Sequence, residues 1–299
     1  MYDDTATVLD RGHHANAKTP WDEESWRTAA LDWAHRELTA RGLRPTGRRG
    51  VRLRPWSVLV RIAVGDLGEG PGATTAVWLK ANPPASAFEA PLTAALARWV
   101  PEYVLHPLAI DADRGWSLLP DGGELFWQVL DRTPADPHAW EEPLRQYATM
   151  QRALVPHTEA LEQLGVPSAR TTALPQVFDE TVEFIESVTK TTAPLRQRVP
   201  AADPAPFCSF LVPAGRITER YGPEALPRLR DAYLEPWTRT GLTSKEVRRA
   251  LTLAGRLGVI GRAVSWGRHF PGASDETRAA GAAASAEWLL ELARDEPPF

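Results

Sequence analysis

The pattern of hydrophobic and polar positions changes at about residue 121. From residue 46 to about residue 121, apolar residues form short runs rich in Val, Ile, Leu and Trp between turn residues, as in strands. Beyond that point apolar residues recur every three or four positions over long stretches, as in amphipathic helices. The pattern therefore predicts an α+β protein with a small strand-rich half and a larger helical half.

The pattern also predicts where the individual elements lie. A first helix begins after Thr19, a good N-cap followed by Pro20, and ends at Gly42. Five strands are predicted at residues 50–54, 56–64, 74–81, 103–110 and 115–119, with a helix ending at residue 99 between the third and the fourth. Later helices are predicted at residues 139–154, 175–190, 223–237, 243–269 and 274–294.

Three segments follow from this pattern. Residues 1–18 are polar and aperiodic and are predicted to form a mobile arm, in which His13 and His14 are typical of a solvated tail. Residues 19–121 form the sheet half, and residues 122–299 form the helical half. The Gly-rich connection at residues 65–73 joins two predicted strands, which favours a hairpin over a phosphate-binding loop.

Composition narrows the classes of partner. The net charge is -4, from 34 basic and 38 acidic residues without a basic run, so no nucleic-acid or membrane surface is expected and small-molecule partners are favoured. Cys208 is the single cysteine, which excludes an internal disulfide and fits a reducing compartment. No run approaches the ~18 apolar residues of a membrane helix, and no signal peptide is visible. The expected location is cytoplasmic.

Lys80 is the first candidate functional residue. The chain has four lysines among its 34 basic residues, and this one follows the apolar run of the predicted third strand. It is interpreted either as an edge-strand lysine that keeps the sheet edge soluble or as a ligand-binding group. A lysine on the third strand and a glutamate, Glu89, at the next helix match the small half of a kinase, where the lysine holds ATP phosphates and the glutamate positions it.

Glu89 has competing interpretations. Ser86 and Glu89 have capping-box spacing, whereas Pro91 suits the first helical position and would place Glu89 outside the helix. In the kinase layout, Ser57 follows the turn that covers the nucleotide and could reach a phosphate. The hinge whose backbone would meet the adenine edge is predicted at Leu118, Leu119 and Asp121.

The residues resemble a known family. The strings RPWSVLVRI, VWLKANPP, FEAPLTAALARWVPEYV and GWSLLPDGG resemble the N-terminal lobe of the aminoglycoside phosphotransferase family. The strings PFCSFLVP, ALPRLRDAYLEPW and RALTLAGRLGVIGRAVSWGR resemble its C-terminal lobe, so the resemblance covers most of residues 44–295. It implies a protein-kinase-like two-lobe fold, ATP and Mg²⁺ as cofactors, and transfer of the γ-phosphoryl group to a hydroxyl of a small-molecule acceptor.

The family's catalytic motifs are missing from the sequence. The family carries a His-Gly-Asp-type loop ending in Asn and an Asp-Trp-Gly or Asp-Phe-Gly turn that binds Mg²⁺, but the only asparagines are Asn16 and Asn82. The resemblance implies that several tens of residues are absent between about Gln197 and Phe207, where Asp203 is the only carboxylate. The loss would leave Phe207 and the following Phe210 and Leu211 exposed or repacked.

Three functional hypotheses remain. The first is a small-molecule kinase scaffold that is catalytically impaired, either as a degenerate copy or through a deletion introduced in assigning the gene. The second is a non-catalytic nucleotide- or metabolite-binding protein, that is, a pseudokinase. The third is an enzyme with an unrecognised catalytic constellation, and it ranks last because nucleophile-elbow, HExxH and Walker A patterns are missing.

Overall fold

The structure, a computed structural model, describes residues 7–66, 75–132, 136–168, 173–189, 210–239 and 242–293. The chain divides into two units. The first comprises Met1–Gly123, Gln163–Val166 and Arg268–Arg278, and the second comprises Glu124–Glu162, Pro167–Gly267 and Ala279–Phe299. A mixed sheet lies in the first unit and helices dominate the second, so the α+β class is confirmed.

The sheet of the first unit has six strands in the order β1-β2-β3-β4-β6-β5. Its strands are Thr7–Asp10 (β1), Leu43–Arg54 (β2), Ser57–Asp66 (β3), Thr75–Ala81 (β4), Ala109–Asp111 (β5) and Trp116–Pro120 (β6). β1 pairs parallel with β2, and the other neighbours are antiparallel. The sequence pattern did not predict β1, because its residues are mostly exposed and polar neighbours surround them.

Two predicted features of the sheet can be compared with the structure. β3 and β4 are antiparallel neighbours, so the predicted hairpin connection is confirmed, although residues 67–74 themselves lie outside the described part of the chain. The strand predicted at residues 103–110 is wrong over most of its length. A short 3₁₀ helix occupies Pro101–Tyr103, and β5 begins only at Ala109. Pro101 and Pro107 remove backbone donors there, which disfavours strand pairing.

Alternation along the strands builds the core of the first unit. Val58, Val60 and Ile62 of β3 are buried on one face of the sheet together with the same-face residues of β2, β4 and β6. Helix α1, Glu24–Thr39, packs on that face through a buried stripe that includes Ala30, Trp33 and Leu38. A 3₁₀ turn at Pro20–Asp22 precedes α1, with Thr19 at its N-cap as predicted.

The predicted helices occur in the predicted order with corrected bounds, and the helices at Phe126–Arg132, Thr158–Gln163 and Leu211–Tyr221 were not predicted. After α1 and α2 (Glu89–Trp99) come α3 (Phe126–Arg132), α4 (Glu141–Leu154), α5 (Thr158–Gln163), α6 (Leu174–Thr189), α7 (Leu211–Tyr221), α8 (Leu226–Thr238), α9 (Ser244–Ser265) and α10 (Asp275–Leu290). The helix predicted at residues 243–269 ends four residues early because the chain turns at Trp266 and Gly267. None of the described helices is both long enough and apolar enough to cross a membrane.

The second unit has two apolar cores. Phe210 lies in one of them and stacks on Tyr233 with ring centroids 4.5 Å apart. Leu211 lies in the other, with Leu257 and Ile260 of α9. Of the two predicted alternatives, exposed or repacked, Phe210 and Leu211 are not exposed, because α7 begins at Leu211 and directs the two neighbouring side chains into different cores. Phe207 lies outside the described residues.

Candidate functional site

Lys80 lies on an interior strand. β4 is bounded by β3 on one side and β6 on the other, so the interpretation as an edge-strand lysine is wrong. Leu79 and Ala81 point into the core, and alternation places Lys80 on the opposite face of the sheet. Its register partners are Leu59 of β3 and Ser117 of β6. The backbone of Lys80 is thus hydrogen-bonded between two neighbouring strands, which restricts the positions that its ammonium group can reach.

Glu89 is the partner of Lys80. The ammonium Nζ of Lys80 donates a hydrogen bond to carboxylate Oε2 of Glu89 and forms an ion pair with it. The two side chains are 31% and 37% exposed, respectively, so one side of the pair remains open to solvent. The contact predicted from the kinase layout is therefore present in the fold.

The chain between Lys80 and Glu89 explains how the two meet. Pro83 and Pro84 stop β4, and a 3₁₀ turn at Pro84–Ser86 redirects the chain into α2. Glu89 is the first residue of α2, and no side-chain cap bond forms at this end of the helix. Pro91 is the third residue of α2, so neither the capping box nor the placement of Glu89 outside the helix is correct.

Ser57 lies at the same end of the sheet as Lys80. It begins β3 after the two-residue turn Pro55–Trp56 and pairs with Arg54. Because Leu59 is the register partner of Lys80, the side chain of Ser57, two residues earlier, lies on the Lys80 face. Ser57 is only 9% exposed, so the hydroxyl offers little accessible surface.

The residues predicted as a hinge belong to the sheet. The carbonyl oxygen of Leu118 accepts a hydrogen bond from the backbone of Leu108 at 2.7 Å, and the N–H of Asp121 donates to Ala76 at 3.1 Å. Leu119 pairs with Trp78 of β4. The backbone groups of Leu118 and Asp121 that were expected to meet an adenine edge are therefore already used within the fold, since β6 is an interior strand.

The side chain of Asp121 fastens three elements together. It accepts hydrogen bonds from Arg61 of β3 at 2.9 Å, from the indole Nε1 of Trp78 at 3.3 Å and from the backbone of Gly123 at 3.2 Å. Partial burial raises the pKa of Asp121, but these hydrogen bonds outweigh burial and hold the pKa below its ordinary value. Asp121 is thus a structural carboxylate of the sheet.

A distant segment contributes residues that the sequence did not single out. Residues 268–278 belong to the sheet unit, and the buried ring of Phe270 packs in its core. The guanidinium of Arg268 lies over the ring of Phe88, 5.5 Å from the ring centroid. Phe88 directly precedes Glu89 in the sequence. Arg268 was predicted to lie in the helix at residues 243–269, and Phe270 was predicted to lie just after it. The turn residues Gly267, Pro271 and Gly272 are the signal that marks the end of that helix.

Histidines lie near the β2–β3 turn. The ring of His14 packs edge-on against Trp56, with centroids 5.0 Å apart. Burial lowers the pKa of His14, and the positive charges of Arg54 and His13 lower it further. Burial likewise lowers the pKa of His269, and the charges of Arg278 and His14 lower it further. Both imidazoles are therefore favoured in their neutral form.

Metal ligands are not gathered in the described part of the chain. No group of three or more His, Cys, Asp or Glu side chains there could hold a metal ion. Asp203, the carboxylate singled out at the junction, lies outside the described residues. Comparison with family models, with curated proteins and with solved structures gave no match to this chain.

Proposed function

We propose that this protein binds the phosphate groups of a nucleotide at the Lys80 face of its sheet, on a scaffold of the aminoglycoside-phosphotransferase type that is impaired in phosphoryl transfer. The observation that carries the proposal is the ion pair between Lys80 on β4 and Glu89 at the start of α2. In kinases, a strand lysine positioned by a helix glutamate contacts the phosphates of ATP.

The environment of the pair supports a binding role. A lysine without a specific role is usually found at a sheet edge or with its ammonium in bulk solvent. Lys80 instead lies on an interior strand and is only partly exposed. A half-exposed ion pair adds little stability, typically about 0–1 kcal/mol. A gain of that size does not explain why one of only four lysines lies there. An ammonium group held at one position can, in contrast, donate a charge-assisted hydrogen bond to a phosphate oxygen.

Impairment of catalysis is part of the proposal. Phosphoryl transfer depends on metal ions that neutralise charge and on a residue that orients the acceptor hydroxyl. The helical half of the sequence contains no asparagine, and the described residues hold no cluster of metal-binding side chains. We therefore expect binding of ATP without efficient transfer to an acceptor.

Calorimetric titration of the full chain with ATP tests binding. Lys80→Met is expected to raise the Kd for ATP about tenfold or more, because a charge-assisted hydrogen bond contributes about 1.5–3 kcal/mol. Lys245→Met is the matched control, since Lys245 is exposed on α9 in the other unit. Equal loss in both variants, or no binding by the wild-type protein, would overturn the proposal.

Dependence on Mg²⁺ separates the impaired kinase from the second candidate, a pseudokinase. The pseudokinase hypothesis rests on the catalytic motifs that the sequence lacks. Stabilisation by ATP that is the same with Mg²⁺ and with a chelator supports a non-catalytic binding protein. Turnover of aminoglycosides or amino alcohols that disappears in Lys80→Ala would instead show a working kinase and refute the impairment.

A further inference from the structure

Arg268 is fixed in place by its neighbours. Two residues later, the ring of Phe270 is buried in the sheet core and its backbone N–H donates to the carbonyl oxygen of Pro55 at 2.8 Å. This anchors the segment to the β2–β3 turn. The guanidinium then lies over the ring of Phe88, at a distance typical of a cation–π contact.

The charge of Arg268 is incompletely compensated. Within the residues that the structure describes, its guanidinium makes no hydrogen bond or ion pair with a protein group. Burial lowers the pKa of Arg268, and the nearby carboxylate of Glu89 opposes that effect only in part. Arginine nevertheless stays protonated in proteins, so a partly desolvated cation with five N–H donors is left in need of an acceptor.

The carboxylate of Glu89 acts on both Lys80 and Arg268. It accepts a hydrogen bond from Lys80, whereas it affects Arg268 only through its charge, which opposes the lowering of the pKa by burial. Two cations and one carboxylate leave one net positive charge on this part of the unit. His14 and His269 add no charge to it near neutral pH, because burial, with smaller contributions from nearby cations, lowers their pKa values.

We propose that Arg268 is a second phosphate-binding residue, which acts with Lys80 on the oxygens of a polyphosphate such as that of a nucleoside triphosphate. The inference rests on the proposed function and adds to it a residue from a distant part of the chain. Arginine suits this role because its planar donors bind two phosphate oxygens at once. An acceptor there would also complete the hydrogen bonding of the guanidinium.

Calorimetry without Mg²⁺ on the full chain tests this role, with ATP, sodium tripolyphosphate and adenosine as probes. Arg268→Gln is expected to raise the Kd for ATP and for tripolyphosphate about tenfold and to leave adenosine unaffected. Arg268→Lys should give a smaller loss because it keeps the charge but not the fork. Arg249→Gln, at an exposed position on α9, is the control and should bind as the wild type does.

Chemical modification of the wild-type protein avoids any folding defect of a variant. The rates at which phenylglyoxal forms adducts with Arg268 and with Arg249 can be measured by mass spectrometry. Tripolyphosphate should slow the reaction at Arg268 and leave the rate at Arg249 unchanged. An unchanged rate at Arg268, or wild-type affinity of Arg268→Gln while Lys80→Met loses binding, overturns the role of Arg268 and leaves the proposed function standing. Absence of ATP and tripolyphosphate binding in the wild type overturns both the role of Arg268 and the proposed function.

The same titrations distinguish the source of the phosphates. Tighter binding of ATP than of tripolyphosphate identifies a nucleotide, and equal binding identifies the polyphosphate itself.

Discussion

The backbone N–H of Phe270 donates a hydrogen bond to the carbonyl oxygen of Pro55, which joins the segment after α9 to the turn between β2 and β3. The ring of Phe270 is 5% exposed and packs with α1 and the sheet. This one residue therefore ties a late part of the chain to a sheet formed by its first part. The position of Arg268 depends on the same anchor.

Phe270→Ala should strongly destabilise the protein. A buried phenylalanine that is replaced by alanine leaves a cavity and loses transfer free energy, together about 3–5 kcal/mol. Urea denaturation followed by tryptophan fluorescence measures the change in the free energy of unfolding. Leu290→Ala is the control, because Leu290 is 53% exposed and should change stability little. A comparable small effect of both substitutions would show that residues 268–278 do not anchor the sheet.

Asp121→Ala should affect stability and not nucleotide affinity. The substitution removes hydrogen bonds from Arg61, Trp78 and Gly123, and we expect a loss of about 1–2 kcal/mol because Arg61 is partly exposed. The melting temperature and the Kd for ATP should be measured on the same preparation. A weaker Kd at unchanged stability would contradict a purely structural role of this side chain.

Glu141 should make stability depend on pH in the acid range. Hydrogen bonds from His138, Arg228 and Arg145 lower the pKa of Glu141 from 4.5 to about 2. Because the folded pKa lies below the unfolded one, its contribution is fully present above pH 4.5 and is lost as the pH falls towards 2. In Glu141→Gln, the fall in the free energy of unfolding over this interval should be shallower than in the wild type. Parallel curves from urea denaturation at several pH values would exclude the effect.

Phe210→Ala should destabilise the helical unit by about 3–5 kcal/mol. Phe210 is fully buried and stacks on Tyr233, so truncation removes both packing and the ring contact. Val212→Ala serves as the control, since Val212 is close in sequence and 46% exposed. The difference between their unfolding midpoints in urea is the measured quantity. Near-equal midpoints would show that Phe210 is not buried and would support exposure, one of the two alternatives predicted from the sequence.

Local chemistry explains the predictions that agree with the structure. The change from short apolar runs to three- and four-residue spacing marks the α+β class, because side-chain periodicity follows directly from strand and helix geometry. The position of Lys80 on a strand also followed from the strand-forming residues around it. Its contact with Glu89 was predicted from the kinase layout, and the short Pro-containing segment between the two residues allows that contact.

Contacts between distant segments were decided only by the tertiary structure. β1 became a strand because β2 offered a partner edge, and β6 became interior because β5 pairs with it, so the carbonyl oxygen of Leu118 is bonded within the fold. Phe210 and Leu211 found cores made by later helices. Arg268 joined Phe88 and Glu89 through the anchoring of Phe270. The sequence by itself determined which residues favour strands, helices and turns. The burial and pairing of each residue depended on partners far along the chain, which a local pattern does not specify.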